Sequence, residues 1–290
     1  MIIFSVIVPT LNSPTLHLTL DALKKQNYDS SKFEIIVVGY DNKQLDGVIF
    51  DYSDHPLSPA QARNRGAELA RGHILAFTDS DCIPNSNWLA VLDEQFSDLT
   101  VNVVGGGVDY RSSDYWTQVD NLCMFYEYLY TYEKGERKQL PSLNLAIRRD
   151  VFDAIGGFDE HYPLPSGEDS DLTIRLRQQG YKLFFEPRAV IVHRPIRNSF
   201  RGLLRHSYYL GMYSPKVNPK YLQPEGLPYL LRSRLALSIF APILAAFVTA
   251  RAFIKYPGFR AHFKVIPWMF LAKMVWCYGA AVRPPDAFWD

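Results

Sequence analysis

Cysteine is scarce in this 290-residue chain: Cys82, Cys123 and Cys277 stand apart, without the spacing of a metal-binding set. Three isolated thiols exclude a disulfide scaffold and suit a reducing compartment. A basic leader is also missing. MIIFSVIVP is apolar from the start and meets Pro9 within nine residues, so it reads as a first strand and not as a signal peptide. The chain is therefore expected to stay in the cytoplasm. No internal repeat and no low-complexity segment is present. Acid, finally, is nearly absent from the last third. Residues 194–290 carry 14 Lys+Arg against only Glu225, Asp286 and Asp290, a net of +11. Residues 1–193 carry 17 Lys+Arg against 27 Asp+Glu, a net of −10. The formal net charge of +1 thus conceals an acidic body and a basic tail, which is a statement about surfaces and not about folding. With 48% hydrophobic and 21% charged residues the chain suits one large globular domain, or a domain with an appendage.

What is present is an alternation of strand and helix signals. Ile2 to Val8 are mostly apolar, as in a strand covered on both faces, and FEIIVV, HILAFT and VNVVGGG follow as further strands. Between them, Ser13-Pro14 reads as a helix N-cap with proline at the first position, and Ser58-Pro59-Ala60-Gln61 as a capping box. Asn85 or Ser86 opens a helix bearing Trp88, Leu89, Leu92 and Phe96. Such alternation predicts a mostly parallel, doubly wound sheet, whose ligands bind beyond the carboxyl ends of its strands.

Two acidic clusters fall where a site is expected. Asp79-Ser80-Asp81 ends the apolar strand ILAFT. It reads either as a polar turn closed on its own backbone or as a site for a hard divalent cation, whose charge would offset the repulsion of the two acids. Glu168, Asp169 and Asp171 crowd the first turn of a helix ending near Gly180. The helix dipole favours acids there, but three in four positions exceed what capping needs, and a carboxylate among carboxylates suits a general base.

SVIVPTLN, FEIIVV, ARNRGAELARGHILAFTDSDCIP, SLNLAIRRDVFDAIGGFDE, GEDSDLTIRLRQQGYKL and AVIVH occur in the order and spacing of family-two glycosyltransferases, which this sequence resembles over roughly residues 3–195. The resemblance implies an α/β fold of the Rossmann-like GT-A type and an inverting transfer from a nucleotide sugar. It implies a UDP- or GDP-linked donor and a divalent cofactor, Mn2+ or Mg2+. In that family Asp79 would contact the nucleoside, and Asp81, with Asp79 beside it, would bind the cation bridging the diphosphate. Asp169 would be the catalytic base, with Glu168 and Asp171 shaping its field and holding neighbouring loops, and Arg175 one helical turn away is as readily a structural partner of these acids. Pro9, Thr10 and Asn12 match the first nucleotide loop, Arg63 and Asn64 the segment lining the nucleotide pocket, and Asn144 the position before the acceptor-side loop. His193 ends an apolar strand, where a backbone carbonyl alone can satisfy it; in the family a histidine there can complete the metal shell. One departure stands out. Gly39 occupies the place of the acid that reads the nucleobase, so Asp41 would substitute through a shifted loop, with Tyr40 stacking on the base.

After residue 195 the texture changes, giving expected domains of 1–195 and 196–290. Leu235 to Ala250 is an apolar run of about 16 residues, roughly 24 Å as a helix against a hydrocarbon core of ~30 Å. Arg232, Arg234, Arg251 and Lys255 bracket it, and Pro242 interrupts it; Val265 to Val282 carries Lys273 at its middle. Two helices in the interface of a membrane's cytoplasmic leaflet are expected, with Trp268, Trp276 and Tyr278 at headgroup level. A buried helical pair or a homo-oligomer contact is the alternative. The partner surface is then a membrane and the acceptor a lipid-linked or glycan-precursor hydroxyl; nucleic acid fits the apolar runs poorly.

Overall fold

The computed structural model describes residues 1–41, 45–217, 221 and 233–284. Arg232, Asn42 of the shifted loop and the tail acids Glu225, Asp286 and Asp290 lie outside the described residues. The structure separates into two compact units, Met1–Asp109 with Tyr128–Arg194, and Tyr110–Glu127 with Pro195–Asp290.

The first unit follows the strand–helix alternation. Its elements in chain order begin with β1 (Phe4–Leu11), α1 (Leu16–Lys24), β2 (Phe33–Tyr40), β3 (Ile49–Tyr52), α2 (Pro59–Leu69) and β4 (Ile74–Thr78). They continue with β5 (Cys82–Pro84), α3 (Trp88–Phe96) and β6 (Val103–Asp109). After α4 (Tyr115–Phe125), which belongs to the second unit, come β7 (Gly135–Glu136), β8 (Asn144–Arg148), α5 (Arg149–Ile155), α6 (Glu168–Gln178) and β9 (Leu183–His193). The nine strands form one sheet in the order β3-β2-β1-β4-β8-β6-β9-β5, with β7 on β9. From β3 to β4 every pairing is parallel. Beyond β4 the sheet is mixed, because β8 runs antiparallel to both β4 and β6. β6 and β9 therefore point the same way as β1 to β4, and the carboxyl ends of these strands share one rim.

The local signals act as chemistry dictates, with two exceptions: α3 starts at Trp88 behind Asn87, later than Asn85 or Ser86 signals, and α1 is displaced too. The capping box closes at α2: Gln61 N donates to Ser58 Oγ at 3.2 Å and Ser58 N to Gln61 Oε1 at 2.9 Å. At α1 the helix starts at Leu16 with Thr15 as an N-cap that makes no side-chain cap bond, two residues later than Ser13-Pro14 signals. The reason is competition. The Ser13 and Thr15 hydroxyls both reach the Ser80 carbonyl, at 3.3 and 2.9 Å, and so fasten the loop after β1 to the Asp-Ser-Asp turn. A core of Ile7, Ile36, Phe77, Leu145, Phe152 and Leu172 fills the space beneath the sheet.

The second unit is helical: α4, α7 (Phe200–Met212), α8 (Arg234–Lys255) and α9 (Ile266–Ala281), with a 3-10 segment over Pro257–Val265. The expected boundary at 195 needs correction, since Tyr110–Glu127 leaves the first unit to join this one. α4 packs on α7 and α9, and Lys273 Nζ donates to the Cys123 carbonyl at 3.2 Å. α8 is also longer than the 16 residues expected. It spans 22 residues, carrying Pro242 inside, and is the helix among the described residues long and apolar enough to cross a membrane.

Candidate active site

The two acidic clusters meet through a buried arginine. Arg63, on α2, is 2% exposed. Its guanidinium donates to Asp79 Oδ1 at 2.7 Å and to Glu168 Oε1 at 2.9 Å. The turn after β4 and the first turn of α6 are thereby pinned together at the carboxyl rim. Burial opposes the charge on Arg63, but Asp79 and Glu168 overcome it and hold the guanidinium protonated, above its ordinary range. Two of the Arg63 donors, Nη1 and Nη2, are thus engaged within the protein, while Nε is buried without a partner among the described residues.

α6 opens on Gly167 in the left-handed region (φ 97°), which sets Glu168, Asp169 and Asp171 in its first turn. The three acids then part company. Asp169 accepts from Ser170 N at 2.6 Å and from Ser142 N at 3.3 Å. Burial nevertheless pushes its carboxyl up, opposed by Arg63 and these amides and reinforced by Asp79. Glu168 is pushed up to about 7, by burial first and then by the charge of Asp169. Its second oxygen is buried without a partner among the described residues, which favours the neutral carboxyl. Asp171 is fully buried and accepts from Arg175 Nε at 2.7 Å. Arg175 in turn donates to the Ile155 and Gly157 carbonyls at 2.8 and 2.7 Å. Asp171 thus fastens α6 to the end of α5, the loop-holding part of its expected role.

Across the turn, Asp81 faces His193. β5 runs antiparallel to β9 with Cys82 opposite His193, Arg194 N donates to the Asp81 carbonyl at 2.8 Å, and His193 Nε2 lies 3.7 Å from Asp81 Oδ1. Donor atoms of Asp81, Cys82 and His193 all lie within 4.8 Å of one another. Burial, with Asp81 and Asp79 adding to it, pushes the Cys82 thiol well up when no ion is bound. The carboxylate of Asp81 and the imidazole of His193 are donors that suit a divalent ion such as Mn2+. Asp79 lies outside this group and is engaged by Arg63.

On the nucleotide side, the glycine at the family's acid position has a steric cause. Gly39 sits at φ +133°, and a Cβ there would lie 2.1 Å from the Thr10 carbonyl oxygen, so no acid fits. Asp41, two residues on, is 2% exposed and accepts from Thr10 Oγ1 at 3.1 Å. Thr10 pairs with Gly39 in the β1–β2 register, next to Pro9 opposite Val38. Asn12 is exposed, takes φ 48° and donates its amide to the Tyr40 carbonyl at 2.6 Å. The Tyr40 ring lies 6.2 Å from that of Tyr52, tilted by 38°.

Two further residues matched to the family motifs spend their side chains on the protein itself. Asn64 donates to the Phe158 carbonyl and to Glu160 Oε1, each at 2.9 Å, and accepts from Phe158 N at 2.8 Å; its amide braces the loop after α5. Asn144 is 1% exposed, accepts from Trp88 Nε1 at 2.8 Å and donates to the Gly107 and Ala189 carbonyls at 3.1 and 2.9 Å. It is a junction between β6, β8 and β9. Asn144→Ala is expected to lower stability by about 2–4 kcal/mol, because it strands a buried indole N–H and two carbonyls. Urea denaturation measures that loss, and nucleotide affinity per folded molecule should be unchanged. Ser142, whose amide meets Asp169, was not anticipated. A backbone donor carries no signal in residue type.

A profile described as Glycosyl transferase family 2 matches residues 5–156. Glycosyltransferase AglE of Haloferax volcanii is 32% identical over 222 residues, covering 71% of this chain and 71% of that protein. Glucosyl-dolichyl phosphate glucuronosyltransferase of the same organism is 23% identical over 227 residues, 69% of this chain and 71% of that protein. The solved structure of mannosyltransferase PcManGT from Pyrobaculum calidifontis, in complex with GDP-Man and Mn2+, aligns at 21% identity with a TM-score of 0.59, covering 93% of this chain and 85% of that one. That last likeness is one of fold.

Proposed function

The chain belongs to glycosyl transferase family 2 and has the GT-A fold, and on that footing we propose that it transfers a sugar, with inversion, from a nucleoside diphosphate sugar to a hydroxyl of a lipid-linked or polysaccharide-precursor acceptor at the cytoplasmic face of a membrane. The observation that carries the reading is the Arg63 bridge, which brings the acid turn after β4 and the acids of α6 to one rim. Asp81 and His193 would hold a divalent cation, Mn2+ or Mg2+. When bound, that ion neutralises charge building on the departing nucleoside diphosphate. Asp41 and Thr10 stand at the ends of β2 and β1, where a nucleoside would lie, and Asp79 borders it. Asp169 takes the proton of the acceptor hydroxyl as that oxygen bonds to the anomeric carbon. The bond from that carbon to the diphosphate oxygen breaks on the opposite face, so a single displacement inverts the centre. The Ser142 and Ser170 amides keep Asp169 oriented and ionisable against the burial that favours its neutral form.

The test is a screen of nucleotide sugars with Mn2+, scoring nucleoside diphosphate release with and without membrane extract. Release that depends on both donor and extract supports the proposal; the absence of release with every donor tried overturns it. A dolichyl-phosphate-linked acceptor deserves early inclusion in that screen, since it is what one relative's name specifies. His193→Ala should raise the Mn2+ concentration for half-maximal activity by about 10-fold or more. Chelator titration of the wild type and the variant measures it.

A further inference from the structure

We infer that the helical unit seats in a lipid bilayer through the outer face of α8, with anionic headgroups as its charged partner. The inference rests on the membrane-side reading of the function and specifies the surface that makes the contact.

α8 is built inside out for water. Leu235, Ile239, Ile243, Phe247 and Ile254 are between 61% and 71% exposed, whereas Ala241, Ala245, Thr249 and Ala252 are buried. A helix on a soluble protein turns its largest apolar side chains inward and leaves alanine outside. Here, Leu237 apart, the buried positions are small and the large residues face out, at spacings of four and seven that line one side of the helix. Pro242 and Ala246 are exposed along the same stretch, and Leu235 to Ala250 contains no charged residue. The exposed side therefore has no polar strip for water to wet.

The packing inside the unit has the same character. Ala241, Ala245 and Thr249 recur every fourth residue, the small-xxx-small pattern by which helices associate where hydrocarbon competes for large side chains. α7 and α9 approach through paired glycines. A Cβ on Gly211 would fall 1.9 Å from the Trp276 carbonyl oxygen, and one on Gly279 would fall 2.0 Å from that of Tyr208. These helices touch backbone to backbone.

Charge selects the occupant. Arg234 at one end of α8, Arg251 and Lys255 at the other, and Arg260 and Lys264 in the following segment are exposed, and no carboxylate side chain occurs between Arg234 and Arg283. A second copy of this face would bring basic residues against basic residues, whereas anionic headgroups complement them. Aromatic residues complete the pattern. Trp268 Nε1 donates to Tyr115 Oη at 2.6 Å, and the Trp116 and Phe200 rings stack within 5.8 Å of Trp268. Tyr and Trp pairs of this kind gather at the headgroup level of bilayers.

The experiment is flotation of the full chain with phosphatidylcholine vesicles, with and without phosphatidylglycerol. The wild type should float, more strongly with phosphatidylglycerol. Ile239→Ser, Ile243→Ser and Phe247→Ser combined should reduce partitioning by about tenfold or more. Arg251→Gln with Lys255→Gln should remove the preference for phosphatidylglycerol. Bromolipid quenching of tryptophan fluorescence, which needs no variant, should be clear in the wild type. Vesicle-independent nucleoside diphosphate release with a water-soluble acceptor serves as the separate readout. A triple variant that keeps this release but stays at the bottom of the gradient supports the inference. A wild type that floats yet releases no nucleoside diphosphate leaves it intact and defeats the catalytic reading instead. A triple variant that floats like the wild type overturns it. So does a wild type that stays down, unquenched, as a dimer that the serine substitutions dissociate.

Discussion

Asp169→Asn is expected to lower kcat by about 10²- to 10⁴-fold, the range that a positioned general base contributes. That corresponds to roughly 2.7–5.5 kcal/mol of lost transition-state stabilisation. The substitution keeps the shape of the side chain and removes its basicity, so kcat and kcat/KM should fall together while donor affinity stays. The pH profile gives an independent check. Burial raises the Asp169 carboxyl above its ordinary value, and a base works only when deprotonated. Wild-type activity should therefore rise with pH along an acid limb lying above the range of an exposed carboxylate, with Glu168, pushed up to about 7, contributing to the same limb. Because these groups interact, the limb reports the cluster and not one residue. In Asp169→Asn the part of that limb owed to Asp169 should vanish from the residual activity. Single-turnover measurements across pH decide the matter: a variant with full activity places the base elsewhere.

The sheet and the acid rim were readable because both depend on local pattern. Apolar runs gave β1, β2, β4 and β6, and the capping box at Ser58 fixed the start of α2. A turn of two acids after a buried strand pointed to the carboxyl edge, where Arg63 joins it to α6. What escaped was the direction in which each side chain spends its hydrogen bonds. Arg63 and Asn64 are neighbours in one motif, yet one joins Asp79 to Glu168 and the other braces the loop at Phe158. Asp169 and Asp171 are two residues apart on α6; helical spacing points to the pairing of Arg175 with Asp171, whereas the Ser142 amide on Asp169 comes from a distant loop. Motif membership marks a residue as needed without distinguishing ligand contact from support. The helical unit was legible in charge and hydropathy, but α4 was assigned to the wrong unit because its partners, α7 and α9, lie far along the chain. The shift of α1 had the same origin: the Ser80 carbonyl that captures Ser13 and Thr15 is more than sixty residues away.

The second large effect is on stability and comes from Arg63. Arg63→Met keeps the length and apolar stem of the side chain and removes the one cation that the structure shows bonded to both Asp79 and Glu168. Breaking a buried ion pair by deleting one partner costs about 3–5 kcal/mol, since the other charge stays buried and uncompensated. Here two carboxylates lose their partner, with Asp169 adjacent, so the upper end of that range is expected at neutral pH. The pH dependence follows from linkage. Glu168 has a folded-state pKa raised above its ordinary carboxylate value, so the native state holds its proton more tightly than the unfolded chain does. Stability tied to that proton is present at low pH and is lost as pH rises through about 7. Without Arg63 the raised affinity grows further, so the variant's deficit should be largest above pH 7 and should shrink on acidification, as the carboxyl takes up its proton and no longer needs a cation. Denaturant titrations of wild type and variant at several pH values measure both the size and the slope. Glu168→Gln in the Arg63→Met background supplies the decisive comparison. If the buried charge is the cause, the double variant should recover part of the stability at neutral pH and show a flatter pH dependence. A double variant no more stable than Arg63→Met at any pH would trace the loss to packing of the guanidinium against Phe158, whose ring centre lies 5.4 Å from it.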